Sequence, residues 1–139
     1  MATNISSIII IAPIHKIWDT LTKPELVKKW QYGCDLTTDW KVGSEIRFKA
    51  EWEGKVFEQW GKVLELLPYQ KIRYSLFAPR PDLEDKPENY FIMEYVLIKE
   101  KGGVRLEIIQ EDNRQGAVQE EPQGEGNPVL IALKSLAEN

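Results

Sequence analysis

The sequence offers few residues that could carry nucleophilic or metal chemistry. It contains one histidine, His15, and one cysteine, Cys34. A serine or cysteine nucleophile needs a base beside it, and a closed zinc site needs about four Cys or His ligands. Neither arrangement can be assembled here, so we expect no metal and no cofactor. We interpret His15 as a solvated residue of a helix's first turn and Cys34 as a small packing residue.

Carboxylates are the remaining candidates for acid or base chemistry. Glu58, Glu94 and Glu107 fall within predicted strands, where one could face inward and exchange protons with a substrate. On an open antiparallel sheet, however, charged residues normally occupy the solvated face. The sequence therefore favours a non-catalytic protein.

Length and composition indicate one compact unit. The chain has 139 residues, of which 42% are apolar, and this predicts a single domain over residues 1–139. With 18 basic and 22 acidic residues the net charge is -4, which argues against a nucleic-acid partner. One cysteine cannot form an internal disulfide, and no stretch reaches the roughly eighteen apolar residues needed to cross a bilayer. We expect a cytoplasmic protein that does not insert into membranes.

The N-terminal part reads as a strand followed by two short helices. The β-branched run from Ile5 to Ile11 predicts the strand. Apolar residues at spacings of three and four predict a helix from Pro13 to Thr22, and Lys23-Pro24 interrupts it. The same spacing predicts a second short helix from Glu25 to Trp30.

Strict alternation of apolar and charged residues makes Glu45 to Glu53 the clearest strand, with Phe48 and Trp52 on one face. Two polar segments predict long loops: Ala78 to Asn89, which we expect to be mobile, and Glu111 to Asn127. The other predicted strands are Val56 to Leu67, Ile72 to Phe77, Tyr90 to Lys99, and Val104 to Gln110.

A final helix is predicted from Pro128 to Asn139, because Leu130, Leu133 and Leu136 lie along one helical face behind a proline. The links between strands are short enough for antiparallel pairing. The fold class is therefore α+β: a single curved, six-stranded antiparallel sheet wrapped around a C-terminal helix, with two short helices between strands 1 and 2.

Several motifs resemble a known family in their order and spacing. They are Ile11-Ala12-Pro13, Thr22-Lys23-Pro24-Glu25, Val27-Lys28-Lys29-Trp30, Thr38 to Ser44, Gly61 to Glu65, and the closing Leu130, Leu133-Lys134 and Glu138. They are similar to the START-like (SRPBCC) superfamily and, within it, to homologues of the activator of the heat-shock-protein-90 ATPase. The resemblance implies a helix-grip fold. The chain departs from the family where Glu125-Gly126-Asn127 replaces the tryptophan that usually opens the last helix.

Aromatic residues suggest what the fold could bind. The chain has five Trp, five Tyr and four Phe, and several share the predicted concave face. The resemblance points to hydrophobic ligands, since START-like domains commonly hold lipids or polyketides. We expect a small apolar or amphipathic ligand between the sheet and the last helix. The predicted walls are Trp30, Phe48, Trp52, Tyr74, Met93, Tyr95, Leu106, Leu130 and Leu133.

The resemblance leaves two alternatives open. The first is a chaperone-associated interaction module that stimulates a heat-shock ATPase, with the acidic loops Pro79 to Glu88 and Glu111 to Glu125 as candidate contact surfaces. The second is a polyketide cyclase or aromatase-like enzyme that uses Glu58, Glu94 or Tyr95. Exposed strand edges would also allow a homodimer.

Overall fold

The computed structural model describes residues 2–31, 33–124 and 126–139. Within them the chain forms seven strands, three α-helices and a short 3-10 helix at Pro87–Asn89. The helices are α1 Ile14–Thr22, α2 Pro24–Trp30 and α3 Pro128–Glu138. The strands are β1 Ala2–Ile10, β2 Asp35–Thr37, β3 Glu45–Trp52, β4 Lys55–Leu67, β5 Lys71–Leu76, β6 Phe91–Glu100 and β7 Gly103–Asp112. None of the helices in these ranges is long and apolar enough to span a bilayer.

All neighbouring strands pair antiparallel in the order β1-β7-β6-β5-β4-β3-β2. This confirms the predicted α+β class and the C-terminal helix. The sheet has one strand more than the predicted six. The additional strand is β2, which pairs with Arg47 to Lys49 at one edge. Its three residues are too few to show an alternation in sequence.

The two faces of the sheet differ in what packs against them. The inner face carries Ile46, Tyr74 and Leu106, which belong to one buried cluster with residues of all three helices, among them Leu21 and Leu133. The outer face carries the opposite set of side chains, among them the ion-paired Arg73, Glu94 and Glu111. Period-two alternation in β5 produces this division directly, since every second residue is buried.

Two indole groups hold the bend between α1 and α2. Trp30 Nε1–H donates to the Thr20 carbonyl at 2.7 Å, and Trp40 Nε1–H donates to the Thr22 carbonyl at 2.9 Å. The last carbonyls of a helix have no partner within it, and Pro24 cannot donate a hydrogen bond. The tryptophans therefore satisfy the end of α1.

Both ends of α3 are held by side chains. Asn127 Oδ1 accepts hydrogen bonds from the Val129 and Leu130 amides at 2.9 and 3.2 Å, as an N-cap does. In the C-terminal half of α3, Lys134 Nζ donates to the Ile9 carbonyl at 2.6 Å, and the Glu138 carboxylate accepts from the Ile11 amide at 2.8 Å. These contacts fix α3 to the end of β1.

The segment after β7 covers the free edge of β1. Gln119 and Glu120 contact the start of β1, and the Ser7 amide donates to the Gln123 carbonyl at 2.9 Å. This segment therefore occupies hydrogen-bonding groups that an edge strand would otherwise offer to another chain. Of the loop predicted from Glu111 to Asn127, the first two residues belong to β7, and Glu125 lies outside the described residues.

Candidate functional site

The predicted ligand walls are mostly core residues. Seven of the nine are at most 5% exposed and pack together between the sheet and the helices. None of the seven lines the groove or the cavity described below. They are Trp30, Phe48, Tyr74, Tyr95, Leu106, Leu130 and Leu133.

Trp52 was predicted to be a wall of the inner face, but its side chain is 66% exposed. Alternation assigned it to the same face as Ile46 and Phe48, and the strand geometry agrees. Burial falls along that face, however, from Ile46 at 0% to Trp52 at the end of the strand. The β3–β4 hairpin extends past the buried cluster, so Trp52 faces solvent.

Met93 is the one predicted wall residue that borders an inner cavity. This cavity has a volume of about 140 Å³ and lies between β1, β6, β7 and the segment that precedes α3. Its lining is largely polar, with Asn4, Gln110 and Asn127 beside Met93 and Ile108. Pockets for small organic ligands usually measure about 300–1,000 Å³. The inner cavity is therefore too small for a lipid or polyketide.

A buried tyrosine pair occupies the centre of the inner face. The hydroxyl oxygens of Tyr74 and Tyr95 are 2.6 Å apart, and the rings meet edge to face with centroids 5.6 Å apart. Burial raises the pKa of Tyr95 to about 12, although the hydrogen bond from Tyr74 acts against this shift. Burial also raises the pKa of Tyr74. Both hydroxyls are therefore neutral at physiological pH, and they share one hydrogen bond.

We expect this pair to make the fold sensitive to alkali. The unfolded chain loses the Tyr95 proton near its ordinary pKa of 10.0, whereas the folded chain keeps it until about pH 12. Unfolding therefore releases a proton in this interval, and the free energy of unfolding falls as pH rises. For Tyr95 alone the loss is about 2–3 kcal/mol, the equivalent of two pKa units. Urea unfolding at a series of pH values measures this loss. Tyr95→Phe should make it smaller, and the part due to burial of Tyr74 should remain.

The carboxylates considered for catalysis lie on the outer face. Glu58 is paired with Arg47, and Glu94 accepts from Lys71 at 3.1 Å and from Arg73 at 3.0 Å. Both are thus neutralised by ion pairs and directed away from the inner cavity. His15, in α1, is exposed to solvent.

Cys34 is half-buried before β2. Burial raises the pKa of its thiol, and the neighbouring Asp35 carboxylate raises it further. A raised pKa lowers the thiolate fraction, which is the reactive form. Cys34 is therefore a poor nucleophile, in agreement with its interpretation as a packing residue.

The tip of the β3–β4 hairpin exposes three large apolar side chains. Trp52, Val56 and Phe57 are 66%, 53% and 52% exposed. Trp52 and Phe57 lie on one face and form what we call the hairpin patch, whereas Val56 pairs with Glu51 on the opposite face. Trp52 pairs with Lys55 and Phe57 pairs with Ala50, so the two rings are diagonal neighbours on one face. The sequence did not single out Val56 and Phe57, because alternation in this strand is irregular.

A groove of about 1160 Å³ opens on the outer face. Asp85 positions its outer wall: this carboxylate accepts from Trp60 Nε1–H at 3.0 Å and from the Tyr90 hydroxyl at 2.6 Å. The ring of Phe77 lies between them, with centroids 5.4 Å from Trp60 and 5.3 Å from Tyr90. The groove is lined by Glu45, Arg47, Trp60, Gly61, Lys62, Ser75, Asp85, Pro87, Glu88, Tyr90, Ile92, Glu111 and Asn113.

Sequence reasoning missed this outer groove. The segment from Ala78 to Asn89 was predicted to be a mobile loop, and its prolines and charges gave no sign that Asp85 bonds to the sheet. The aromatic residues on either side, Trp60 and Tyr90, were the available signal. Their partnership joins positions far apart in the chain, which periodicity cannot detect.

The chain is similar to known proteins in sequence and in fold. A family model described as "Activator of Hsp90 ATPase homolog 1-like protein" matches residues 11–138. A solution structure of a Cytophaga hutchinsonii protein is 35% identical, with a TM-score of 0.70, over 84% of this chain and 80% of that one. A search of curated proteins found no match.

Two further structures share the fold at lower identity. The Aha1 dimer from Colwellia psychrerythraea is 20% identical, with a TM-score of 0.70, over 99% of this chain and 97% of that one. The protein Ara h 8.0201 is 13% identical, with a TM-score of 0.69, over 97% and 96% of the two chains. The predicted START-like architecture is thus confirmed.

Proposed function

The chain belongs to the family of Activator of Hsp90 ATPase homolog 1-like proteins, and from this premise we propose that it is a non-catalytic interaction module for a heat-shock ATPase. The hairpin patch is the proposed contact. The observation that carries the proposal is the exposure of Trp52 and Phe57 on a hairpin that extends beyond the core.

Large aromatic side chains in water favour burial against a partner. Trp and Tyr dominate the energetics of protein interfaces, and a charged rim around an apolar centre is typical of such surfaces. At the hairpin tip, Glu51, Glu53 and Lys55 surround the patch, and all three are exposed. The arrangement supports a small contact site with a polar border.

A ligand between the sheet and α3 is the weaker proposal. Such a ligand would need to displace Tyr74, Leu106 or Leu133, which are at most 1% exposed. Protein side chains already fill the space between the sheet and α3 with close packing. An apolar ligand would therefore add no favourable burial there without a large rearrangement. The 140 Å³ inner cavity beside Met93 accommodates only a few waters or a small polar group.

A second copy of the chain is the competing occupant of the hairpin patch. The Colwellia psychrerythraea relative was solved as a dimer. In this chain the segment around Gln119 and Gln123 covers the β1 edge, which leaves less of that edge for strand pairing. Sedimentation of the purified chain therefore accompanies the test for a chaperone partner.

The test uses the double variant Trp52→Ser/Phe57→Ser with a heat-shock-90-class ATPase from the same host. We expect wild type to bind the ATPase and raise its ATP turnover, and the double variant to bind at least about tenfold more weakly, as for loss of two interface aromatics. Both side chains are exposed, so the melting temperature should change little.

The matched control is Val118→Ser, which removes another exposed apolar side chain, 68% exposed, from the segment beside β1. It should bind like wild type. Equal binding by wild type and the double variant would contradict the proposal, as would the absence of any binding by wild type. A dimer that dissociates only in the double variant would assign the patch to self-association.

A further inference from the structure

We propose that the outer groove binds an organic cation with an apolar body, of the arylalkylamine class. The groove lies on the opposite face of the sheet from the cluster that packs against α3. Its residues do not overlap with the hairpin patch. The inference therefore stands independently of the proposed chaperone contact.

The size and walls of the groove fit a small organic molecule. Its volume of about 1160 Å³ slightly exceeds the usual range for ligand pockets. Trp60, Pro87, Tyr90 and Ile92 supply apolar surface on both the sheet side and the loop side. An aryl or alkyl body could lie between these walls, because aromatic side chains offer large, rigid contact areas.

The charges in the groove select a cation. Four carboxylates and two basic groups line it, so the lining carries a net charge of -2. Glu45 and Glu111 have basic partners, Arg47 at 3.1 Å and Arg73 at 3.0 Å. Among the described residues, Asp85, Glu88 and Lys62 have no ion-pair partner, so the unpaired groups of the lining carry a net charge of -1.

The hydrogen bonds to Asp85 orient its charge without neutralising it. Its two donors, the Trp60 indole and the Tyr90 hydroxyl, are both neutral. The carboxylate is thus held beside two aromatic rings, with its negative charge intact. Carboxylates and aromatic faces together are the groups that recognise ammonium ligands.

Trp60 already accepts a cation within the fold. The guanidinium carbon of Arg47 lies 5.2 Å from the Trp60 ring centroid. The indole at the floor of the groove therefore provides one cation–π contact, and Arg47 is held there by Glu45 and Glu58. An incoming ammonium group would bind on the loop side, at Asp85 and Glu88.

Three probes of similar shape distinguish the contribution of the ligand's charge to binding from that of burying its apolar body. They are phenylbutylamine, phenylbutanol and phenylbutyrate. Titrations followed by two-dimensional amide NMR on the full chain report the Trp60 indole signal, which Trp60→Phe identifies among the five tryptophans. We expect saturable shifts with the amine, about tenfold weaker binding of the alcohol, and no saturation with the carboxylate. Added salt should weaken the amine, because it screens exposed charges.

Reversing the charge of Glu88 tests where the ammonium group of the amine binds. Glu88→Lys should weaken the amine about tenfold, whereas Glu84→Lys should change its affinity less than about twofold. Glu84 is on the same loop and pairs with Lys86, but it does not line the groove. The proposal is overturned if phenylbutyrate binds as well as the amine, if the two variants behave alike, or if no probe saturates.

Discussion

Replacing Gly61 with alanine is expected to destabilise the protein by about 3 kcal/mol or more. A Cβ atom at this position would lie 1.8 Å from the Ser75 carbonyl oxygen and 2.5 Å from its carbonyl carbon. Both atoms belong to the backbone of β5, so no side-chain rotation can relieve the clash. The backbones of β4 and β5 would therefore have to move apart at Gly61 and Ser75.

Urea unfolding monitored by circular dichroism measures this cost. Gly126→Ala is the matched control, since a Cβ there meets no atom within 4 Å. It should shift the free energy of unfolding by less than about 0.5 kcal/mol. If Gly61→Ala unfolds at the same urea concentration as wild type, the close approach of β4 and β5 is incorrect.

The second large effect concerns the packing of α3. Leu133 is 0% exposed and lies in the cluster with Tyr74 and Leu106. Truncation to alanine leaves a cavity in a filled interior and should cost about 2–5 kcal/mol. If Leu133 instead lined an open ligand cavity, its loss would cost much less, because few contacts would be broken.

Ile131 on the same helix provides the comparison. It is 50% exposed, and Ile131→Ala should cost less than about 1 kcal/mol. Urea unfolding of both variants decides between a packed and an open interior. Equal destabilisation by the two substitutions would contradict the assignment of Leu133 to the core.

Periodicity predicted the helices and most strands because each residue's burial repeats with the geometry of its own element. Ile72, Tyr74 and Leu76 alternate in sequence and are buried in alternation. The three residues of β2 are too few for any such repeat. Their pairing with β3 forms across the intervening loop when the chain folds, and no repeat in the local sequence encodes it.

Trp52 shows that the face on which a strand residue lies does not by itself determine whether the residue is buried. Alternation correctly placed it on the face of Phe48, but a face is buried only where something packs against it. The extent of that cover is set by helices elsewhere in the chain. The same reasoning explains why the sequence identified the walls as an inner-face set but did not decide between a filled and an open interior.

The outer groove lay beyond sequence reasoning for a different reason. It depends on Asp85, in an irregular loop, bonding to Trp60 on β4, 25 positions away. A loop has no periodicity, and a contact of this kind follows only from the folded chain. Composition alone suggested that this segment was mobile.

We propose that the inner face is a filled core and that the protein binds its partners on the surface. Methyl NMR of the leucine-labelled chain tests it most directly, during titration with a fatty acid and an aromatic polyketide. We expect no saturable shift at Leu106, Leu130 or Leu133, whose side chains are at most 1% exposed. Saturable shifts at these methyl groups would show a ligand within the interior and contradict the claim.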